Sequence, residues 1–513
     1  MIDIYLKLIL FFVISLLYFY SVLGFGKVTS DNNSNYFESY LDGTIILLIL
    51  SYLIYLTIGT NHTINLIILF VGLIFYFKEN KKYKIIKYKN IILLFLSLFS
   101  ILIISKTHED FNGYHYFSIY EIFNHNLRLG VSNLNIRFFQ SSLLALNQAI
   151  LVFPYFDFKL VLFTSFFIYF SIIGYFIIIL FSENLKNNEV FYSILCLFIM
   201  LIKFNRLSEY GYDYIAQFIL LIVFHKIYFL NSNDNETIKA IIYFLLTVLI
   251  KPITLFFIPI MTYIIYKKDF NFYRRIPRIK YFLIFSLFFI LISSSFFKTG
   301  CLFYPLNKTC FPIEKISWSE KEIVEEYTEI TSLWAKGFMW QEDTKYQRIN
   351  DPNLYKKNFN WLKYWIELHF FYKVFEFLLI IFGSIIIINT YFSKDKLNFH
   401  KNNKDKIILI LLSLLSIIFW LWTVPQFRFG FSSMIIFSYL LKDYFFNTQV
   451  KFEKKKFLHI FILGLVVLNF KNLNRINSEF ERNDFYTFKN FPFYTEIEIK
   501  NDYSNLNIKK FFH

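Results

Sequence analysis

The chain has 513 residues, of which 56% are hydrophobic and 22% aromatic, with a mean hydropathy of +0.46. A water-soluble fold cannot hide that much apolar surface, so composition excludes an ordinary soluble protein and points to an all-α, polytopic transmembrane helical bundle. The formal charge of +16 falls largely in short loops beside apolar runs, where membrane proteins concentrate Lys and Arg; no nucleic-acid partner is expected.

In chain order, about fourteen apolar runs reach or approach the ~20 residues that cross a bilayer as a helix: 4–24, 43–60, 63–77, 90–105, 158–181, 189–204, 211–230, 237–250, 253–267, 281–297, 369–391, 406–423, 430–446 and 457–470. The first run lacks a small-residue cleavage site and reads as a span, not a signal peptide. Four loops are strongly basic: "KENKKYKIIKYK" (78–89), "KKDFNFYRRIPRIK" (267–280), "KDKLNFHKNNKDK" (394–406) and "KFEKKK" (451–456). The positive-inside rule assigns all four to the cytoplasm, and threading the runs alternately satisfies all four at once with both termini outside. The chain then divides into N-terminal spans (1–105), an outer loop (106–157), central spans (158–297), an outer platform (298–368), C-terminal spans (369–470) and an outer tail (471–513).

The outer segments are more than connectors. "YHYFSIYEIFNHNLRLG" (114–130) spaces its apolar residues as an amphipathic surface helix does, and "IRFFQSSLLALNQAILVFP" (136–154) reads as a half-buried helix ending at Pro154. Residues 298–368 hold several acids and most of the tryptophans without a run long enough to span, which suggests an ordered lid or platform. Cys301 and Cys310 share one short loop there and can pair in an exported segment; Cys196 lies inside an apolar run and reads as packing.

The residues able to carry chemistry lie at the predicted outer ends of spans. "HEDFNGYHYF" (108–117) places Glu109 and Asp110 just beyond a span. A carboxylate at a water–lipid boundary is ordinarily just solvated, but partial desolvation can leave it basic enough to take a proton. "VLIKPITLFF" puts Lys251 at a span edge, where it either snorkels or meets a lipid phosphate. "WLWTVPQFRFGFSS" sets Arg428 between Phe427 and Phe429, a costly position without an anionic partner and one whose planar fork suits phosphate. "KTGCLFYPL" contains Tyr304-Pro305, which also fits an ordinary turn. There is no His-Glu-x-x-His, no Cys-x-x-Cys and no nucleotide-binding Gly-rich loop.

Asp110-x-x-x-Tyr114-His115, "LRLGVSNLNIRFFQSSLLAL" (127–146), "TGCLFYP" (299–305), Trp318 and "PQFRFGF" (425–431), in this order over roughly residues 90 to 440, resemble the GT-C superfamily of multi-spanning glycosyltransferases, nearest a bacterial branch of largely uncharacterised members. The resemblance implies a GT-C-like bundle in a bacterial inner membrane. It implies a polyprenyl-phosphate-linked sugar as donor and a glycan, lipid or protein as acceptor. It gives Asp110 the role of catalytic base or acceptor-orienting acid, with Glu109 as its alternate, and makes Arg428 and Lys251 ligands of the donor phosphate. It offers Arg128 and Arg137 as sugar or phosphate contacts or interfacial anchors, and Tyr114, His115, Tyr304 and Trp318 as substrate-contacting residues. No fixed cofactor is implied; a divalent cation is left open. More spans precede the catalytic-type loop than in many such enzymes, and the tail is short. An O-antigen-type polysaccharide polymerase shares the span count and the arginine-bearing outer loops. A transporter of lipid-linked glycans calls instead for charges within spans and two similar halves; Asp213 in "EYGYDYIAQ" is the main charge of that kind, and no repeat is evident.

Overall fold

The computed structural model describes residues 2–31, 34–78, 88–103, 115–140, 142–154, 156, 158–182, 185–204, 212–268, 271–319, 321–338, 349–392, 404–446 and 453–482. Helix dominates them, because a helix satisfies its own backbone polar groups where water is absent. Three long N-terminal helices, α1 (Ile2–Thr29), α2 (Tyr36–Thr57) and α3 (His62–Lys78), are followed by α4 (Tyr88–Leu98) and a single turn, α5 (Ser100–Ile103). Two short helices, α6 (Tyr116–Asn124) and α7 (Leu144–Ala149), precede the central run of α8 (Leu162–Leu180), α9 (Asn187–Lys203), α10 (Tyr212–Phe229), α11 (Asp234–Ile250), α12 (Ile258–Tyr266), α13 (Asn271–Arg274) and α14 (Arg278–Thr299). The next segment carries α15 (Lys321–Ala335) and α16 (Pro352–Lys356). Then α17 (Trp361–Trp365) runs through a π-wound stretch, Ile366–Phe375, into α18 (Glu376–Phe392), and α19 (Lys404–Thr423), α20 (Phe427–Phe445) and α21 (Lys454–Arg482) follow.

Among the described residues, eight helices are long and apolar enough to cross a membrane: α1, α2, Phe158–Leu180, α10, α14, Trp361–Phe392, α19 and α21. The other predicted runs also fall on helices, but on shorter or more polar ones: α3, α4 with α5, α9, α11, α12 and α20. The run 253–267 is a 3-10 turn, Pro252–Phe257, joined to α12. The predicted boundary at 368 falls inside the 32-residue helix Trp361–Phe392. The run 457–470 lies mostly in the N-terminal half of a 29-residue helix that continues to Arg482.

Burial separates inner helices from outer ones. The apolar windows of Phe158–Leu180 and α10 are each 83% buried, against 22% for α19. Peripheral helices leave Phe285, Phe382, Leu411 and Val466 more than half exposed. Such rows of bare apolar side chains are unfavourable in water and suited to lipid. Glycine lets α1 and α2 touch backbone to backbone: a Cβ on Gly26 would lie 1.6 Å from the Ser39 carbonyl oxygen, and one on Gly43 1.9 Å from that of Val22. This is the close small-residue contact common between membrane helices.

The helix ends gather into two sets. At one end Asp31 contacts Lys280 at 2.8 Å and Lys239 at 3.5 Å, Lys226 bridges Glu38 and Glu236, and Lys406 meets Asp443 at 2.7 Å. At the other end Thr60 donates to the Ile122 carbonyl, Gly130 N–H to that of Phe297, and Ser332 to that of Thr423. The predicted helix at 136–154 is corrected here. It is broken into a 3-10 turn (Ile136–Gln140) and α7, and residues 142–153 are buried throughout, not half-buried. A polar side chain of α3 makes this broken backbone tolerable: Asn65 donates to the carbonyls of Ala149 and Val152 (2.9 Å each), while Asn147 ties the segment to α2 by donating to the Thr44 carbonyl (3.0 Å). Irregular backbone of this kind survives at membrane depth only where protein covers it.

Candidate functional site

Three charged side chains converge where α10 and α20 begin and α11 ends. Asp213 is the second residue of α10, an acid in the first turn where the helix dipole favours it. Lys251 immediately follows α11. Because Pro252 disfavours helical backbone in the residue before it, Lys251 is extended (φ −153°, ψ 107°) and the chain swings aside into the 3-10 turn. Arg428 is the second residue of α20, reached through Pro425 and Gln426. Lys251 Nζ lies 2.8 Å from Asp213 Oδ1, and Arg428 Nε 3.1 Å from Asp213 Oδ2. The three side chains are only 11% (Lys251), 12% (Asp213) and 22% (Arg428) exposed. One carboxylate between two cations leaves the centre with a formal surplus of one positive charge. With both oxygens engaged, Asp213 is suited to holding the two cations in place more than to taking a proton.

The surroundings fix this centre firmly. The Phe429 ring lies 5.4 Å from Lys251 Nζ and 5.2 Å from the Arg428 guanidinium carbon, and Trp334 of α15 lies 5.5 Å from the same carbon. One turn below, Ser432 of α20 donates to Gln217 of α10 at 2.5 Å. The α19–α20 corner is held by Trp420, whose indole donates to the Gln426 carbonyl at 2.9 Å. Gly430 permits it, since a Cβ there would meet the Trp420 ring at 2.7 Å. Gln426 in turn donates to the Ala335 carbonyl (3.1 Å) and lies 3.2 Å from His369 Nε2, while Trp365 donates to the Pro425 carbonyl (2.7 Å). The segment bearing Arg428 is therefore pinned by α15 on one side and by the π-wound stretch on the other. π-winding is common near functional sites.

Of the residues singled out from the sequence, Lys251, Arg428 and His115 come together. His115 is buried and its ring stands edge-on to Tyr212, the neighbour of Asp213, at 4.9 Å. Tyr212 hydrogen-bonds Gln148 of α7 and so ties the buried 142–153 segment to the centre. Arg128 goes elsewhere: its Nε and Nη2 both engage Glu121 on α6, the former at 2.6 Å. Arg137 sits exposed on the 3-10 turn Ile136–Gln140. Tyr304 stacks on Phe139 at 5.6 Å in a small cluster with Cys301 and Val324, and Cys301 is disulfide-bonded to Cys310. Trp318 donates to the Phe296 carbonyl at 3.2 Å and covers Gly130, whose φ of +65° a side chain would strain. Tyr304 and Trp318 thus pack the 115–140 segment against the chain that follows α14. Glu109, Asp110 and Tyr114 lie outside the described residues.

Asp213 is the residue the sequence underplayed. It was legible as an acid at an apolar edge, set between two tyrosines, but nothing in its spacing announced two partners 38 and 215 residues away. Among the described residues no group of three or more His, Cys, Asp or Glu is placed to hold a metal ion. A family model described as a domain of unknown function (DUF8201) matches residues 1–436. The chain belongs to this family. The matched stretch includes Asp213, Lys251 and Arg428 and ends inside α20. No curated protein and no solved structure matches the chain.

Proposed function

We propose that this protein is a glycosyltransferase of the GT-C type in a bacterial inner membrane, moving a sugar from a polyprenyl-phosphate donor to a glycan, lipid or protein acceptor at the outer face. The observation that carries the reading is the convergence of Lys251 and Arg428 on Asp213, beside His115 of the 106–157 loop. Two cations held rigidly at the rim of an apolar bundle suit a phosphate whose lipid tail remains in the bilayer. The fourteen-span threading belongs to this reading. It places the Asp213 centre and the platform outside and the four basic loops inside, in keeping with the two sets of helix ends.

In the proposed reaction an acceptor hydroxyl oxygen attacks the anomeric carbon as Asp110, with Glu109 as alternate, takes its proton. The bond from that carbon to the phosphate oxygen breaks, and the polyprenyl phosphate leaves with the electron pair and a growing negative charge. Lys251 and Arg428 stabilise that charge, and Asp213 keeps them preorganised so that little rearrangement is needed as it develops. A cell-free assay with labelled polyprenyl-phosphate sugars tests this. Transfer by the wild type and its loss in Asp110→Ala are expected; full transfer by Asp110→Ala would remove the base assignment.

A further inference from the structure

At the opposite end of the bundle, a cavity of about 370 Å³ opens between the ends of α10 and α12 and the start of α19. Ile227, Ile264 and Leu409 form its apolar wall, and Lys267, Lys268 and Lys406 stand around it with Asp405. Two of these ammonium groups are braced from behind: Lys268 by Asp234 at 3.0 Å and Lys406 by Asp443, a carboxylate only 1% exposed, at 2.7 Å. Lys267 is held differently. Its partner Asp405, 2.5 Å away, is 58% exposed, and Lys267 itself is 41% exposed. An ion pair that open to water is weak. Asp405 also occupies the first turn of α19, where a helix N-terminus favours an anion, and it accepts from the Tyr263 hydroxyl at 3.1 Å. Asp405 is therefore a water-exposed carboxylate in a place arranged for an anion.

We infer that this cavity is a binding site for the phosphate headgroup of an anionic glycerophospholipid, with Asp405 as a built-in competitor for the same cations. The volume is at the small end for a ligand site and fits a headgroup with its first methylenes. The apolar wall and the exposed Ile258 of α12 and Leu411 of α19 favour a ligand that continues into lipid over a freely soluble phosphate. Basic pockets between membrane helices on the cytoplasmic side recognise such headgroups, and the flanking loops 267–280 and 394–406 put this end there in the proposed threading. The inference concerns the end away from Asp213 and does not depend on sugar transfer.

Native mass spectrometry of the detergent-purified full chain tests it, with phosphatidylglycerol, phosphatidylcholine of the same acyl chains, and inorganic phosphate titrated separately. Phosphatidylglycerol should be retained at least fivefold better than phosphatidylcholine. Lys267→Gln should lower that retention at least threefold, and Asp405→Asn should raise it by a similar factor. Both changes lie at the exposed mouth, and unaltered melting temperatures would establish that each variant folds. Equal retention of the two lipids, or no opposite response of the two variants, would overturn the site. Inorganic phosphate displacing bound phosphatidylglycerol at micromolar concentration would overturn the lipid assignment in favour of a soluble phosphate.

Discussion

Replacing Asp213 by Asn keeps the shape of the side chain and removes the charge that holds Lys251 and Arg428 together. At an effective dielectric of about 20, unit charges at the observed 2.8 and 3.1 Å attract by about 5–6 kcal/mol each before desolvation is subtracted. Removing one partner from a buried ion pair costs about 3–5 kcal/mol in practice, because it strands the other charge. The two cations keep 11% and 22% exposure, so water relieves part of the strain and the lower end applies. Asp213→Asn should thus destabilise the protein by about 3 kcal/mol, roughly a hundredfold in the unfolding equilibrium. Cys196, the buried free cysteine, reports unfolding directly through a thiol-reactive dye during thermal melting in detergent. Lys251→Met should cost less, since Arg428 still compensates Asp213. The double variant Asp213→Asn/Lys251→Met should recover at least about 1 kcal/mol relative to the sum of the single changes, as coupled neighbours do. Wild-type melting of Asp213→Asn, or strict additivity in the double variant, would refute the idea that the three form one coupled centre.

Other consequences follow from the same structure. Asn65→Leu should destabilise the protein by about 1 kcal/mol, because the Ala149 and Val152 carbonyls each lose one donor inside the bundle and keep only the Val152 N–H (3.3 Å) and the His62 ring (3.2 Å); a neutral melt would contradict the account of the broken segment. Gly43→Leu should abolish stable folding, seen as loss of a monodisperse peak on size-exclusion chromatography, since α2 cannot withdraw from Val22 without separating from α1. Replacing both Cys301 and Cys310 by Ser opens a short closed loop worth about 2–3 kcal/mol by chain entropy and leaves Cys196 as the single thiol; protease sensitivity should rise in the segment 298–335 while the Cys196 melt moves little. Burial pushes the Asp31 carboxyl up, but its hydrogen bond to Lys280 and the charges of Lys239 and Lys280 outweigh this and hold it below the ordinary carboxylate range. A depressed carboxyl stabilises the fold above its unfolded value and loses that contribution as pH falls through the folded one. Asp31→Asn should therefore lower stability near neutrality and flatten the acid limb of the melting curve below about pH 4.

The sequence made the membrane helices legible because the bilayer imposes a length and a polarity on each of them, and each predicted run overlaps a helix among the described residues. It was less informative about interruptions. The break at Ser142 is satisfied by Asn65 of α3, and Lys251 is held by Asp213 of α10 and the Phe429 ring of α20, none of which a local window contains. Lys251 and Arg428 were recognisable as costly cations at apolar edges, and the structure brings them to one carboxylate. Tyr304 and Trp318 carried a weaker signal, and in the structure one stacks on Phe139 and the other seals Gly130. Aromatic residues are so abundant in this chain that prominence alone does not separate packing from recognition.

The central claim is that Arg428 and Lys251, fixed by Asp213, receive a lipid-linked phosphate, and donor binding tests it most directly. Purified wild-type protein in lipid nanodiscs should retain a labelled polyprenyl-phosphate sugar, and Arg428→Ala should weaken that binding at least tenfold while Lys308→Ala, exposed on the 3-10 turn Asn307–Thr309, leaves it unchanged. Equal donor binding by the wild type and Arg428→Ala would contradict the phosphate role of this centre.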